Sequence, residues 1–174
     1  MEFLPLAVKL DASMSSDACS DKEEHFTLRD NAGRPYSLRF ARCRESWVFR
    51  VTDRGTPVGL SKCVCHGRLL FLGDIRIDDS VRPRWPEWLS ILCYLPLRRS
   101  PRNYQWRGLG TALLLFIIQN ARQSGIKRIE GNLFAKDLGN NPRLPDWYRR
   151  HGFDVQMEAD MSSGKVWLEL GGTG

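Results

Sequence analysis

The sequence predicts an α/β fold, a mixed α+β sheet flanked by helices. Three observations predict it. Short segments rich in β-branched and aromatic residues, separated by turn signals, run from His25 to Ile77. A long apolar helix, Thr111–Gln123, comes after them. Strand, helix and two strands then close the chain. The chain has 174 residues, enough for one domain with a hydrophobic core.

Residues 1–24 mix apolar and polar residues and carry a Ser/Asp/Lys/Glu stretch from Ser13 to Glu24. They read as an arm with little fixed structure. Residues 25–174 read as the single domain. His25–Arg29 and Tyr36–Ala41 flank the turn-rich Asp30-Asn31-Ala32-Gly33-Arg34. Trp47–Val51 and Val58–Cys65 flank Asp53-Arg54-Gly55-Thr56-Pro57, a second hairpin signal. Leu69–Ile77 alternates less cleanly, as a central strand does.

The stretch at about 78–103 holds Pro83, Pro86, Pro96 and Pro101, with Trp85, Trp88 and five arginines. It reads as an insertion, either a surface excursion or a lid. Thr111–Gln123 is apolar on most sides and should be largely buried. Gly125 stands just past its end. Arg128–Phe134 reads as a strand. Asn141–His151 reads as a helix, with Asn141 as N-cap and Pro142 at its first position. Phe153–Met157 and Val166–Leu170 close the sheet across Ser162-Ser163-Gly164.

Composition excludes several classes. Hydrophobic residues make up 42% and charged residues 26%, as in ordinary globular chains. The longest apolar run, Ala112–Ile118, is too short to span a bilayer. Met1–Leu10 has no secretory pattern, so the expected compartment is cytoplasmic. Five cysteines lack a disulfide-scaffold spacing. Cys63-Val64-Cys65-His66 lacks a second ligand pair, and no metal is expected. The net charge of +6 favours an anionic partner, a phosphorylated ligand or nucleic acid.

The turn Tyr104-Gln105-Trp106-Arg107-Gly108-Leu109-Gly110-Thr111 opens the apolar helix. A helix N-terminus offers unpaired N–H groups and a partial positive charge. Glycines at 108 and 110 would let the backbone approach an anion, and Arg107 adds a full charge. A dinucleotide fingerprint would need Gly at Leu113, although Glu130 does lie about twenty residues on. A Walker loop is excluded because no Gly-Lys-Ser/Thr occurs.

This turn resembles the pyrophosphate loop of the GNAT superfamily of acyl-CoA N-acetyltransferases, which reads Gln/Arg-x-x-Gly-x-Gly/Ala. Here it is Gln105-Trp106-Arg107-Gly108-Leu109-Gly110. The family also places an Asn ahead of a Tyr and then a Gly-Phe, here Asn141, Tyr148 and Gly152-Phe153. Gly73-Asp74-Ile75-Arg76-Ile77 looks like its fourth strand. The resemblance covers roughly residues 69–157. The chain departs from the family in two places. The 78–103 stretch separates the fourth strand from the loop, and no helix is legible between His25 and Ile77.

The resemblance implies acetyl-CoA as co-substrate and a primary amine as acceptor. It implies that Gln105, Trp106, Arg107, Gly108, Leu109, Gly110 and Thr111 hold the pyrophosphate. Asn141 would reach the pantetheine arm, which enters where the fourth and fifth strands splay. Tyr148 would protonate the departing thiolate. A phenol near ~10 stays protonated at neutral pH, and positioning offsets the gap to a thiol at ~8.5. The attacking amine needs a proton acceptor. Glu130 is the first candidate, Asp74 the second and Asp137 the third. The alternative is a non-catalytic module of this fold that binds nucleic acid or a protein through its basic insertion. Nucleic acid is the less favoured partner. The closing hairpin offers an edge for a homodimer.

Overall fold

The computed structural model describes residues 22–78, 104 and 107–171. Most of the expected arm and the 79–103 part of the insertion lie outside these residues, as do Gln105 and Trp106.

Five strands come first: β1 (Lys22–Arg29), β2 (Pro35–Cys43), β3 (Ser46–Asp53), β4 (Thr56–His66) and β5 (Leu69–Ile77). After the insertion come α1 (Leu109–Gln123), β6 (Arg128–Leu133), α2 (Ala135–Asn140), α3 (Leu144–Arg150), β7 (Asp154–Met157) and β8 (Gly164–Glu169). The strands form an eight-stranded sheet in the order β1-β2-β3-β4-β5-β6-β8-β7. β5 and β6 run parallel, which the crossover helix α1 permits. β8 runs antiparallel to both β6 and β7. The sheet is mixed and flanked by helices, as the sequence predicts.

The expected strands are all present, most of them a residue or two longer or shifted at the ends. β1 starts at Lys22, three residues earlier than expected, because Glu23 and Glu24 continue the extended backbone. Residues 22–78 contain strands and turns but no helix, so the missing early helices are a feature of this chain.

The chain groups into two compact units. The first draws its described residues from Met1–Ala41, Val48–Ser61 and Ile75–Leu113. Alternation builds its core: Tyr36, Leu38 and Phe40 of β2 are buried while their odd-numbered neighbours face out. Phe40 stacks on Phe49, with centroids 4.6 Å apart. Arg54 and Gly55 both have positive φ, the type I′ geometry of a two-residue hairpin.

The second unit comprises Arg42–Trp47, Lys62–Asp74 and the described part of Leu114–Gly174. Leu114, Ile117 and Ala121 of α1 are fully buried in it. So are Leu70, Ile129 and Val166, whose strands are adjacent in the sheet. Burying an aliphatic side chain of this size is worth roughly 1.5–3 kcal/mol, so this face anchors the unit.

Candidate functional site

The residues that the sequence singles out fall into two groups, one in each unit. The first surrounds the start of α1. The Gly108 carbonyl accepts the Ala112 N–H at 2.9 Å, so Gly108 is the residue that opens the helix. Leu109 and Gly110 come next in the first turn, where helical N–H groups have no partner four residues back. No acidic side chain stands in that turn to compete for them.

The two glycines have different physical reasons. Gly108 has φ +82°, a region that side chains strain. The Asn31 side chain fills the space a Cβ there would need. The Asn31 N–H also donates to the Arg107 carbonyl at 2.9 Å. Gly108 is therefore required by the β1–β2 turn packed against it. Gly110 is different. Among the described residues, a Cβ there would meet only Ile77, at an ordinary 3.9 Å. No packing contact among these residues demands glycine at 110.

The second group surrounds Tyr148 on α3. Its ring is 7% exposed and packs edge-on against Trp147 and Phe153. Its hydroxyl makes no hydrogen bond among the described residues. Burial pushes the phenol well above its ordinary pKa, and the charges of Asp74 and Asp137 add to this. Tyr148 is thus a buried, neutral O–H donor under the influence of two carboxylates.

Asp74 comes directly after a break in the sheet. The β5–β6 pairing runs from Leu69–Arg128 to Leu72–Gly131. Beyond it, β5 continues to Ile77 and β6 to Leu133. Gly73 sits at the break, its Cα against the Lys62 carbonyl of β4, where no Cβ would fit. Asp137 has a structural task as well. Its Oδ2 accepts the Phe134 N–H at 3.2 Å and so caps α2.

Glu130 lies on β6. It alternates with Ile129 and Leu133, which are buried, and so projects from the other face of β6. Arg128 Nε lies 2.6 Å from its Oε1, and Arg128 Nη1 lies 2.9 Å from Glu169.

The helix expected over Asn141–His151 is corrected. α3 begins only at Leu144, a separate short helix, α2, ends just before the region, and Asn141 is the C-cap of α2. Its Oδ1 accepts the Arg143 N–H at 3.2 Å, a turn bond rather than an N-cap. Pro142 precedes α3, and Pro145 takes the place near its start that a missing N–H allows. Asn141 and Pro142 carry a helix-start signature, but the residues before them already form a helical turn. α2 itself carries no sequence signal, because Leu138 is its one aliphatic residue beyond Ala135 and no periodicity marks it.

His151 caps the end of α3 and its Nδ1 contacts the Trp147 carbonyl at 2.7 Å, a structural role. Cys63 is buried and Cys65 half-buried, both as free thiols. The described residues hold no group of three or more side chains able to bind a metal ion. None of their helices is long and apolar enough to cross a membrane.

No protein-family model matches the sequence. No curated protein matches it either. Solved structures do resemble it in fold. One is the ribosomal-protein-S18-alanine N-acetyltransferase of Escherichia coli, with a TM-score of 0.53 and 18% identity over 76% of this chain and 74% of that one. Another, from Klebsiella pneumoniae subsp. pneumoniae, is described as an acyl-CoA N-acyltransferase. It has a TM-score of 0.51 and 15% identity over 74% of each chain. The chain therefore shares the fold of these N-acyltransferases.

Proposed function

We propose that this protein is an acyl-CoA-dependent N-acetyltransferase acting on a primary amine. One observation carries the reading: buried Tyr148, its hydroxyl unbonded among the described residues, feels the charge of Asp74, which directly follows the end of the β5–β6 pairing. A parted pair of parallel strands offers backbone groups to an amide-bearing arm, and a neutral phenol there suits a departing thiolate. The fold shared with known acetyltransferases adds support.

The residues at the start of α1 fit an anion. The N–H groups of Leu109 and Gly110 suit a pyrophosphate, and Gly110 leaves room for one. Arg107 and Thr111 lie beside them, and Gln105, Trp106 and Asn141 keep the roles the resemblance assigns. In the proposed reaction the amine nitrogen attacks the thioester carbonyl and forms a C–N bond. Backbone N–H groups stabilise the oxyanion. The C–S bond breaks, and Tyr148 gives its proton to the sulfur. Asp74 takes the proton the amine loses, directly or through water, in place of Glu130, whose carboxylate is held by Arg128 on the other face. A proton returned to Tyr148 completes the cycle.

Thermal unfolding with acetyl-CoA, against ATP and NAD as controls, tests the reading. A native-state ligand at a hundredfold its Kd adds about 2.7 kcal/mol. That corresponds to a shift of about 5–11 °C for a domain of this size. A shift with acetyl-CoA alone, together with amine-dependent release of CoA thiol, is expected. No shift at millimolar acetyl-CoA sinks the proposal.

A further inference from the structure

Within the first unit, the β1–β2 turn, the β3–β4 hairpin and Arg107 line an open cavity of about 640 Å³. Arg34, Arg54 and Arg107 line it. Among its lining residues the acid is Asp53, and the Tyr104 hydroxyl donates to Asp53 Oδ2 at 2.8 Å. Asp53 and the Asp30 paired with Arg34 offset part of the arginine charge, and a net positive charge remains to attract an anion.

Each arginine is positioned by its neighbours. Arg34 Nε donates to Asp30 Oδ2 at 2.7 Å, while its side chain stays 53% exposed. Asp30 is saturated: its carboxylate also accepts from Tyr36 and from the N–H groups of Ala32 and Arg34. The charge of Asp30 thus orients Arg34 from beneath. Arg107 lies over the Tyr104 ring, 4.9 Å from its centroid. Arg54 sits in the left-handed turn at φ 49° and makes no ion pair among the described residues. Guanidinium forks suit phosphate oxygens, which they bind in pairs.

We propose that this cavity is a binding site for a phosphomonoester. Two sources share that chemistry: the 3′-phosphate of CoA, or a phosphate on a separate ligand. Arg107 adjoins the start of α1, which favours the first source. Only that choice of source rests on the proposed function; the anion site stands on its own geometry.

The test compares the full-length protein with Arg54→Asn, since Asn tolerates the left-handed turn. Calorimetry measures CoA and 3′-dephospho-CoA, and phosphorus NMR measures inorganic phosphate. The expected result is a preference for CoA over dephospho-CoA of about tenfold or more, largely abolished in Arg54→Asn. Dephospho-CoA should bind both proteins alike. If neither nucleotide distinguishes the proteins, but phosphate binds the wild type and not the variant, the site holds and its ligand is separate. If no CoA form binds yet phosphate still depends on Arg54, the acyl-CoA reading fails and this one survives. Phosphate binding absent or unchanged in the variant, with the CoA preference also unchanged, overturns the proposal.

Discussion

The Asn31 N–H donates to the Arg107 carbonyl at 2.9 Å, tying the β1–β2 turn to the residue before the helix-opening glycine. The Asn31 side chain then fills the space beside Gly108. A loop that sequence alone reads as shaped for a ligand is therefore also shaped by its own protein.

That relationship separates the two glycines. Gly108→Ala forces a side chain into a positive φ and against Asn31, and should cost about 1–3 kcal/mol. Gly110→Ala should leave stability unchanged or raise it by up to about 1 kcal/mol, since Ala favours helices. Its affinity for acetyl-CoA should fall about tenfold, or 1.4 kcal/mol. Thermal melts and titration calorimetry on both variants check this. Undiminished acetyl-CoA affinity in Gly110→Ala argues against a pyrophosphate at that turn.

Tyr148→Phe removes a hydroxyl that bonds nothing in the described structure, so the fold should hold. Turnover should drop about 10²-fold or more if the phenol is the acid. Alkaline stability gives an independent readout. The folded-state pKa lies above the unfolded value of about 10. The contribution is therefore complete below about pH 10 and is lost as pH rises towards the folded value. Denaturant melts from pH 8 upward should show that loss in the wild type and less of it in Tyr148→Phe.

The choice of proton acceptor is open to a paired comparison. Asp74→Asn should lower kcat and remove the acid limb of its pH profile. Glu130→Gln breaks a partly exposed ion pair and should change stability by less than about 1 kcal/mol. Its kcat should stay within about twofold of wild type. The reverse pattern would return the role to Glu130.

Asp30 predicts an acid-sensitive turn. Burial raises its pKa, but the Arg34 N–H and side chain, the Tyr36 hydroxyl and the Ala32 N–H outweigh this and lower it. Its contribution is present above the unfolded value of about 4 and is lost as pH falls through the folded value. Asp30→Asn should cost about 1–3 kcal/mol at neutral pH, and the difference should shrink towards pH 2. Urea melts at both pH values measure it.

The strands and the long helix were legible in the sequence because their signals are local. Alternation in Tyr36–Phe40 and the apolar run of α1 report burial one residue at a time. The glycine-rich turn and Tyr148 stand out in the sequence through a family resemblance, and their roles are proposed. Only tertiary structure decided what those residues face. Asn141 carries the chemistry of an N-cap, yet the preceding residues form α2 and make it a C-cap. Glu130 and Asp74 look alike as strand carboxylates, but the pleat sends one towards Arg128 and chain packing brings the charge of the other to bear on Tyr148. Gly108 and Gly110 differ because one distant turn, at Asn31, leans on the first alone. A sequence determines which side chains are available and with what period they recur. Which distant charge or atom fills the space beside them depends on how the strands stack, and that is a property of the whole fold.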